Sequence, residues 1–596
     1  MRVADLVFSF IKKQGVRHVF MLSGGGIMYL VDALGRSGIE YVCCHHEQAA
    51  SIAAQAYSMY DDSLGVCLIT TGPGGTNALT GTGAAYMDST PVLYISGQVK
   101  RSDFASLRNV RQFGAQENDI VSMAKPVTKY AVTVMEPENA LYELEKCAYI
   151  ALHGRKGPVW LDIPLDIQSA EIDPNKLKHF IPEEDNTEDG LGKNVDITLK
   201  LLKKAKRPLF LVGHGVNASK CQNTLRNIVK KAGIPVLSTW RALDFMDEDD
   251  PLFFGAPGLQ APRYSNLILQ HCDFLLVLGS RLDNMITAFS EEHFAQMADV
   301  VVVDIDENEM RKLHIPRLST IHADVGSFVR ALDEKLDYKE LPVFGDWVSR
   351  CRSIKERFPL LKEKQSVAEG VDLYRVTHSI SQYAKSDDTL VVSSTSRCNT
   401  AGHIAFDRKR DQKSISSMGF GSMGFALPSV VGAYYAGKKR RVIMLEGDGS
   451  LQLNLQEFET IVSNGIDVRM FIFNNTGYAA ITTMQDRNFD GFYVGSNERS
   501  GLFMPDMKKI SDAYDIPYRS IEKNEDIEEV VKWAMEEMDG VCLVDIKGSL
   551  SFDEIPKCIS RVDETTGERV SAFLENPYPF LSDEEMVEIE AFMIGE

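Results

Sequence analysis

Short apolar runs recur along residues 1–170, and stretches with helical spacing of apolar positions separate them. Runs this short, with little alternation of apolar and polar positions, are typical of parallel strands that are covered on both faces. The pattern predicts a doubly wound domain over residues 1–170. Its strands are predicted at 19–21, 41–44, 66–70, 92–96 and in the segment that ends at 164.

Two further regions repeat this pattern. Residues 191–340 carry four apolar runs, and residues 371–555 carry another four. We therefore predict the α/β fold class, with three doubly wound Rossmann-like domains built on parallel sheets. Residues 171–190 and 341–370, which are rich in charged residues, are predicted linkers. Residues 556–596 are predicted to form a surface tail, and the alternatives are a segment that covers a site or wraps a neighbouring subunit.

Composition and charge narrow the class of protein. A chain of 596 residues is too long for one core, and a net charge of −20 counts against nucleic-acid binding. No apolar run reaches the roughly 18 residues that a membrane-spanning helix needs. The first residues have helical spacing with Asp5 inside the apolar part, unlike a signal peptide. We expect a cytoplasmic protein that binds neither nucleic acid nor membranes.

Polar residues cluster where two predicted strands of the third region end. A tight turn, Gly447-Asp448-Gly449-Ser450, follows the run at 442–445, and a helix is predicted at 453–464. Glycine lets backbone approach a phosphate, and a helix N-terminus attracts anions. Asp448 and Asn475 offer the oxygen ligands that Mg²⁺ prefers. The pattern indicates a metal–diphosphate site, with an ordinary turn and a capping Asp as the alternative.

Gly-Asp-Gly, followed after 24 residues by Asn-Asn, resembles the metal–diphosphate motif of thiamine-diphosphate-dependent enzymes. The resemblance implies that Asp448, Asn475 and the Gly477 carbonyl bind Mg²⁺. The segment HEQAASIAAQAYS, which begins at His46, is similar to the pyrimidine-binding domain of the same family. There the resemblance implies that Glu47 protonates the aminopyrimidine of thiamine diphosphate. The alternative role of Glu47 is to stabilise a helix N-terminus.

Residues 71–99 resemble the acetolactate synthase branch of this family in particular. The likeness implies that Gln116 is a second catalytic residue, with a solvated loop amide as the alternative. Residues 421–428 resemble the segment in which Met423 supports the bent cofactor and the Gly421 carbonyl holds its aminopyrimidine. The predicted cofactor-binding residues are Gly24, Asn77, Ser396, Gly421, Met423, Gly447, Asp448, Gly449, Ser450, Asn475, Gly477 and Tyr478. For Ser396 the alternative is that its segment caps a helix.

Three places depart from that branch. Leu165 stands where those enzymes usually have Lys, Asn284-Met285 replaces a segment with Arg, and Met484 replaces a Trp. The resemblance makes FAD a candidate cofactor of the middle domain, but the first two departures and the lack of a GxGxxG motif count against it. A spacer domain is the alternative. Met484 predicts a differently shaped acceptor pocket.

The resemblance implies a function. We expect decarboxylation of a small 2-oxo acid, with pyruvate as the first candidate, and joining of the remaining fragment to a second carbonyl compound. The active sites are expected between two subunits of a homo-oligomer. One alternative is a specialised relative that releases an aldehyde or transfers the acyl unit to a keto sugar or another acceptor. A regulatory homologue without catalysis is the other.

Overall fold

The computed structural model describes residues 1–182, 190–362, 370–550, 554–562, 569–571 and 573–595. Parts of both predicted linkers, of the third domain and of the tail therefore lie outside the described residues. Within the described ranges, no helix is long and apolar enough to cross a membrane.

The first sheet has six parallel strands, and its central strands are fully buried. Their order across the sheet is Glu40–Cys43, His18–Met21, Gly65–Ile69, Val92–Gln98, Val159–Pro164 and Tyr130–Thr133. The α-helices of this region are Val3–Lys13, Met28–Ser37, Glu47–Asp61, Pro73–Met87, Ile120–Ala124, Ala140–Leu152 and Leu165–Ser169.

The middle sheet has five parallel strands. Their order is Leu318–His322, Asp299–Asp304, Phe274–Leu278, Pro208–Val212 and Val236–Ser238. Its α-helices are Leu191–Leu202, Gly215–Ala218, Gln222–Ala232, Arg263–His271, Asn284–Thr287, Glu307–Arg311 and Val325–Lys335. Helix Gly345–Arg357 follows in the predicted connector.

The third sheet has six parallel strands. Their order is Ser414–Ile415, Thr389–Val392, Val442–Gly447, Val468–Asn474, Cys542–Lys547 and Tyr518–Ile521. The α-helices here are Leu373–Tyr383, Ser396–Ile404, Ala426–Ala436, Asp448–Leu451, Glu457–Ser463, Ala479–Phe489, Met507–Ala513 and Ile527–Lys532. An antiparallel hairpin, Ser560–Val562 with Arg569–Ser571, and helix Asp583–Ile594 follow.

The three parallel sheets confirm the predicted fold class. The sequence pattern missed the edge strands Tyr130–Thr133, Leu318–His322 and Tyr518–Ile521. Each is partly exposed along most of its length, so it lacks the continuous apolar run of a buried strand.

The first and third domains share one hydrophobic core. Helix Glu47–Asp61 packs on helix Ala426–Ala436, and both contribute buried side chains to the same cluster. The approach is close because small residues line it: a Cβ added at Gly432 would lie 2.0 Å from the Ala53 carbonyl oxygen. These two domains are therefore one packed unit.

The end of the chain packs on the middle domain. Helix Asp583–Ile594 lies against helices Arg263–His271 and Gly345–Arg357, and it buries Ile589 and Met593 in the middle-domain core. The buried guanidinium of Arg263 donates to the carbonyls of Pro577 and Pro579, at 3.0 and 2.7 Å. These contacts anchor the tail on the middle domain, although most of helix Asp583–Ile594 is exposed, as expected of a surface segment.

Candidate active site

Asp448 lies at the end of strand Val442–Gly447, where the chain enters helix Asp448–Leu451. The predicted tight turn is therefore wrong, since the strand passes directly into a helical turn. The Asp448 carboxylate accepts the N–H of Gly449 at 2.9 Å and of Gly477 at 3.3 Å. Burial raises its pKa to about 7. A nearby cation would offset the cost of this buried charge.

Asn475 follows the neighbouring strand Val468–Asn474. Its side-chain oxygen is buried and has no hydrogen-bond partner among the described residues. Such an orphaned acceptor, two residues before the Gly477 that contacts Asp448, fits a hard oxygen-liganded cation. The described residues contain no cluster of three or more His, Cys, Asp or Glu that could hold a metal. A site here would instead combine one carboxylate, one amide and one carbonyl.

Gly447 and Gly449 are surrounded differently, so the absence of a side chain has a different consequence at each. A Cβ at Gly449 would lie 2.4 Å from the Tyr478 ring, so the contact with Tyr478 excludes a side chain. A Cβ at Gly447 would meet only the Cys398 sulfur, at 3.8 Å. The space above Gly447 is therefore open to a ligand group.

The segment that carries Met423 is held against this turn. Gly421 and Gly424 have φ of 67° and 76°, in the left-handed region that favours glycine. The Gly424 N–H donates to Ser450 Oγ at 2.8 Å, and the Ala426 N–H donates to Glu446 at 3.2 Å. Met423, which is half-buried, is thereby placed beside the Asp448 segment.

Ser396 begins the helix that follows the strand Thr389–Val392. It has φ of 69°, an uncommon backbone conformation for a residue other than glycine. Such strain is often found at functional sites, and Ser396 is half-buried. The structure thus places Ser396 at a strand end of the same sheet as Asp448.

Glu47 is buried at the first turn of helix Glu47–Asp61. Asn77 Nδ2 donates to Glu47 Oε2 at 3.0 Å, which joins two of the predicted site residues. His46, rather than Glu47, caps the helix by accepting the Gln48 N–H. Glu47 still lies in the first turn, so the alternative that it stabilises the helix N-terminus through the dipole stays open.

Gly24 follows strand His18–Met21, whereas Gln116 lies in the loop before helix Ile120–Ala124, against Gly72. Gln116 is exposed, and its backbone oxygen lies 2.3 Å from where a Cβ of Gly72 would be. A Cβ at Gly24 would lie 2.5 Å from the Thr70 side chain. Gly24 thus lies close to the end of strand Gly65–Ile69, and the exposure of Gln116 fits the alternative of a solvated loop amide.

Two groups of predicted site residues emerge. Glu47 pairs with Asn77 in the first domain, whereas Asp448 pairs with Gly449 and Gly477 in the third. The two domains touch near Glu47, where the Glu457 carboxylate accepts the His45 N–H at 3.0 Å.

Family models match all three parts of the chain. The N-terminal TPP binding domain, the central domain and the C-terminal TPP binding domain of thiamine pyrophosphate enzymes match residues 1–123, 195–332 and 395–546. The chain belongs to the thiamine pyrophosphate enzyme family. Within it, the chain lies on the acetolactate synthase-like branch.

Three relatives show the extent of this likeness. The acetolactate synthase large subunit of Porphyra purpurea is 30% identical over 538 residues, which cover 88% of each chain. The isozyme 2 large subunit of Escherichia coli K12 is 29% identical over 93% of this chain and 96% of its own. Acetolactate synthase 1, chloroplastic, of Zea mays is 31% identical over 91% and 85%.

Two buried residues of this thiamine pyrophosphate enzyme were missed. Glu446, inside an apolar strand, accepts the N–H groups of Gly447 and Ala426, and burial raises its pKa. Arg397 follows Ser396, and its guanidinium donates to the Ser549 carbonyl. A charged residue beside a motif glycine was the available signal for Glu446, whereas nothing local pointed to Arg397.

A cavity of about 390 Å³ lies against the middle domain of this thiamine pyrophosphate enzyme, and residues 87–89, 152–156 and 418–419 of the other two domains complete its lining. It lies at the ends of the paired strands Pro208–Val212 and Phe274–Leu278, whose next strands lie in opposite halves of the sheet. Their exit loops touch, since a Cβ at Gly215 would lie 2.6 Å from Gly279 Cα. Open α/β sheets bind ligands at this point. The lining includes Arg155, His214, Arg241, Arg281, Asp304 and Asp324.

Proposed function

We propose that this chain is an acetolactate synthase-like carboligase that depends on thiamine diphosphate and Mg²⁺. Its donor would be a 2-oxo acid, with pyruvate as the first candidate. The orphaned Asn475 oxygen beside the buried Asp448 carries the metal assignment. The comparisons support the carboligase, and they do not favour the aldehyde-releasing, acyl-transferring or regulatory alternatives.

Asp448, Asn475 and the Gly477 carbonyl would hold Mg²⁺, and the open backbone at Gly447 would face the diphosphate. Bound thiamine diphosphate would supply the electron sink that lets a 2-oxo acid lose carbon dioxide. Glu47, buried and oriented by Asn77, would hold or release a proton at a ring nitrogen. Met423 would support the ring, since the hydrogen bond from the Gly424 N–H to Ser450 Oγ holds its segment in place.

A homo-oligomer would bring the two groups of site residues together. Exposed apolar side chains support this, because a lone chain rarely leaves so many in one segment. They include Ile481, Met484, Phe489, Phe492, Val494 and Phe503. We place the active site between the first domain of one subunit and the third domain of another, in the cytoplasm.

FAD remains a candidate for the middle-domain cavity. Asp304 at a strand end lines this cavity and could accept ribose hydroxyl groups. Arg155 counts against FAD, because its guanidinium is already paired with Asp306 and Glu309, at 2.8 and 2.6 Å, and is not free to bind a diphosphate. A flavin absorbance band in the purified protein would support FAD, and a colourless protein that stays colourless with added FAD would exclude it.

Calorimetry of thiamine diphosphate binding with Mg²⁺ tests the site. Asp448→Ala and Asn475→Ala should each weaken binding by at least about 10–100-fold, the loss seen when a metal site loses even an outer-shell partner. Asn308→Ala, an exposed amide in the middle domain, is the control. Unchanged affinity in the first two variants would contradict the metal assignment.

Mass spectrometry of the products tests the reaction. Pyruvate alone should give acetolactate and carbon dioxide, two pyruvates yielding one of each. A panel of other aldehydes and 2-oxo acids defines the acceptor. Acetaldehyde as the sole product would instead favour the aldehyde-releasing alternative.

A further inference from the structure

A second cavity, of about 70 Å³, lies between the third domain and the tail segment 554–559. One wall comes from helix Ala479–Phe489, which begins directly after the predicted metal residue Gly477. The tail supplies the opposite wall. The polar lining residues are Arg397, Thr483, Arg487, Glu554, Lys557 and Tyr578.

Positive charge exceeds negative charge in this pocket. Glu554 is its one carboxylate among the described lining residues. Its Oε2 accepts Gln260 Nε2 at 3.0 Å and lies 3.6 Å from Lys557 Nζ. Arg487 has no hydrogen-bond or ion-pair partner among the described residues. A recess with surplus positive charge attracts anions.

Arg397 shapes the floor of the pocket. It is buried, and its guanidinium donates to Thr483 Oγ1 at 3.0 Å and to the Leu550 carbonyl at 2.7 Å. These hydrogen bonds fix the plane of the guanidinium and link the helix to the strand exit near Leu550.

The pocket adjoins the predicted cofactor site. Arg397 follows Ser396 in sequence, and the Leu550 side chain lies 3.5 Å from where a Cβ of Gly477 would be. Thr483 and Arg487 are one turn apart on the helix, and Met484 lies on the adjoining face. A group bound here would therefore lie beside the position where the sequence predicts an altered acceptor pocket.

We propose that Arg487 and Lys557 bind an oxyanion, a carboxylate or a phosphate, of the acceptor substrate. The inference rests on the proposed carboligation. Two cations on different segments can grip such a group from two sides. The tail thus takes part in acceptor choice, because Lys557 belongs to it.

Matched acceptor pairs test the proposal in the thiamine diphosphate-loaded protein, with pyruvate as donor. One pair is 2-oxobutyrate and butanone; the other is glyceraldehyde 3-phosphate and glyceraldehyde. The wild type should prefer the charged member of at least one pair, which identifies carboxylate or phosphate as the source. Arg487→Gln and Lys557→Gln should each lower that preference at least tenfold, through the KM of the charged acceptor. The control Lys509→Gln, at an exposed lysine, should keep it.

Direct binding provides a readout that needs no turnover. Inorganic phosphate and acetate are titrated calorimetrically into protein saturated with thiamine diphosphate and Mg²⁺. At least one of the two anions should bind the wild type. The same anion should bind the Arg487→Gln variant at least tenfold more weakly. Equal binding, or an unchanged acceptor preference, overturns the proposal. Absence of any product in the wild type would reject the carboligation, while the titration would still decide the anion pocket.

Discussion

At the scale of single residues, burial changes the pKa of the Asp162 carboxylate. Asp162 is fully buried, and its side chain accepts hydrogen bonds from Ser96, Gln98 and Thr133 at 2.6, 3.3 and 3.1 Å. Loss of solvent outweighs these hydrogen bonds and raises the pKa of Asp162 to about 7. The folded protein therefore holds a proton there that the unfolded chain releases near pH 4.

This linkage gives Asp162 a definite pH effect. Between about pH 4 and 7 the folded state binds the extra proton, so the free energy of unfolding falls as pH rises through that window. The contribution of Asp162 is at most about 4 kcal/mol, from the size of the pKa shift. Asp162→Asn should remove it: by scanning calorimetry, the variant should lose less Tm between pH 5 and pH 8 than the wild type. Equal losses would contradict the assignment.

Glu47 offers a functional test at the same scale. Glu47→Gln keeps the shape and can still hydrogen-bond Asn77, but it cannot release or accept the same proton. We expect normal folding and a loss of turnover of about 10²-fold or more, within the usual range for removal of an acid–base group. The measurement is carbon dioxide release from pyruvate, with circular dichroism as the check on folding. Wild-type turnover in this variant would remove the assigned role.

At the scale of elements, the contact between helices Glu47–Asp61 and Ala426–Ala436 holds the first and third domains together. Its closest point, between Gly432 and the Ala53 carbonyl, involves backbone that cannot rotate away. The contact also sits on the helix that begins with Glu47. Packing at this point therefore bears on the site as well as on stability.

Gly432→Ala should destabilise the protein by about 1–3 kcal/mol, since the added methyl group must displace a helix backbone. Gly35→Ala is a matched control inside helix Met28–Ser37, where a Cβ would meet nothing within 4 Å. It should be neutral or stabilising by about 0.5–1 kcal/mol. Tm values from calorimetry separate the two; a Gly432 variant as stable as the Gly35 variant would refute the packing argument.

The sequence was informative wherever a signal was local. Buried strands such as Gly65–Ile69 are continuous apolar runs, and the spacing of Asp448 and Asn475 is a property of one strand–helix–strand unit. Edge strand Tyr518–Ile521 was missed because half-exposed strands lack such a run. The second cavity, which Arg487 and Lys557 line, forms between two segments that are distant in sequence, so no local pattern could reveal it.

At the scale of the whole molecule, the predicted site residues are divided between two domains of one chain. The exposed apolar side chains between Ile481 and Phe503 lie in the third domain, directly after the predicted metal residues. A second subunit that covered this segment would remove apolar surface from water and could complete the site.

Sedimentation velocity tests this arrangement. We expect a dimer or a larger oligomer at micromolar concentration. Phe492→Asp should weaken association at least tenfold, since it places a charge on an exposed apolar side chain in that segment. Val343→Asp, at a side chain that is 95% exposed, is the control and should leave the mass unchanged. A monomeric wild type would contradict the proposed interface.

Because the first and third domains share one core, neither is expected to be stable when it is expressed alone. A fragment of residues 371–550 alone would expose the apolar face of helix Ala426–Ala436, which packs on helix Glu47–Asp61 in the whole chain. Such a fragment should aggregate when it is expressed. Supplying both pieces in the same cell is the practical route for anyone who wants to label one half.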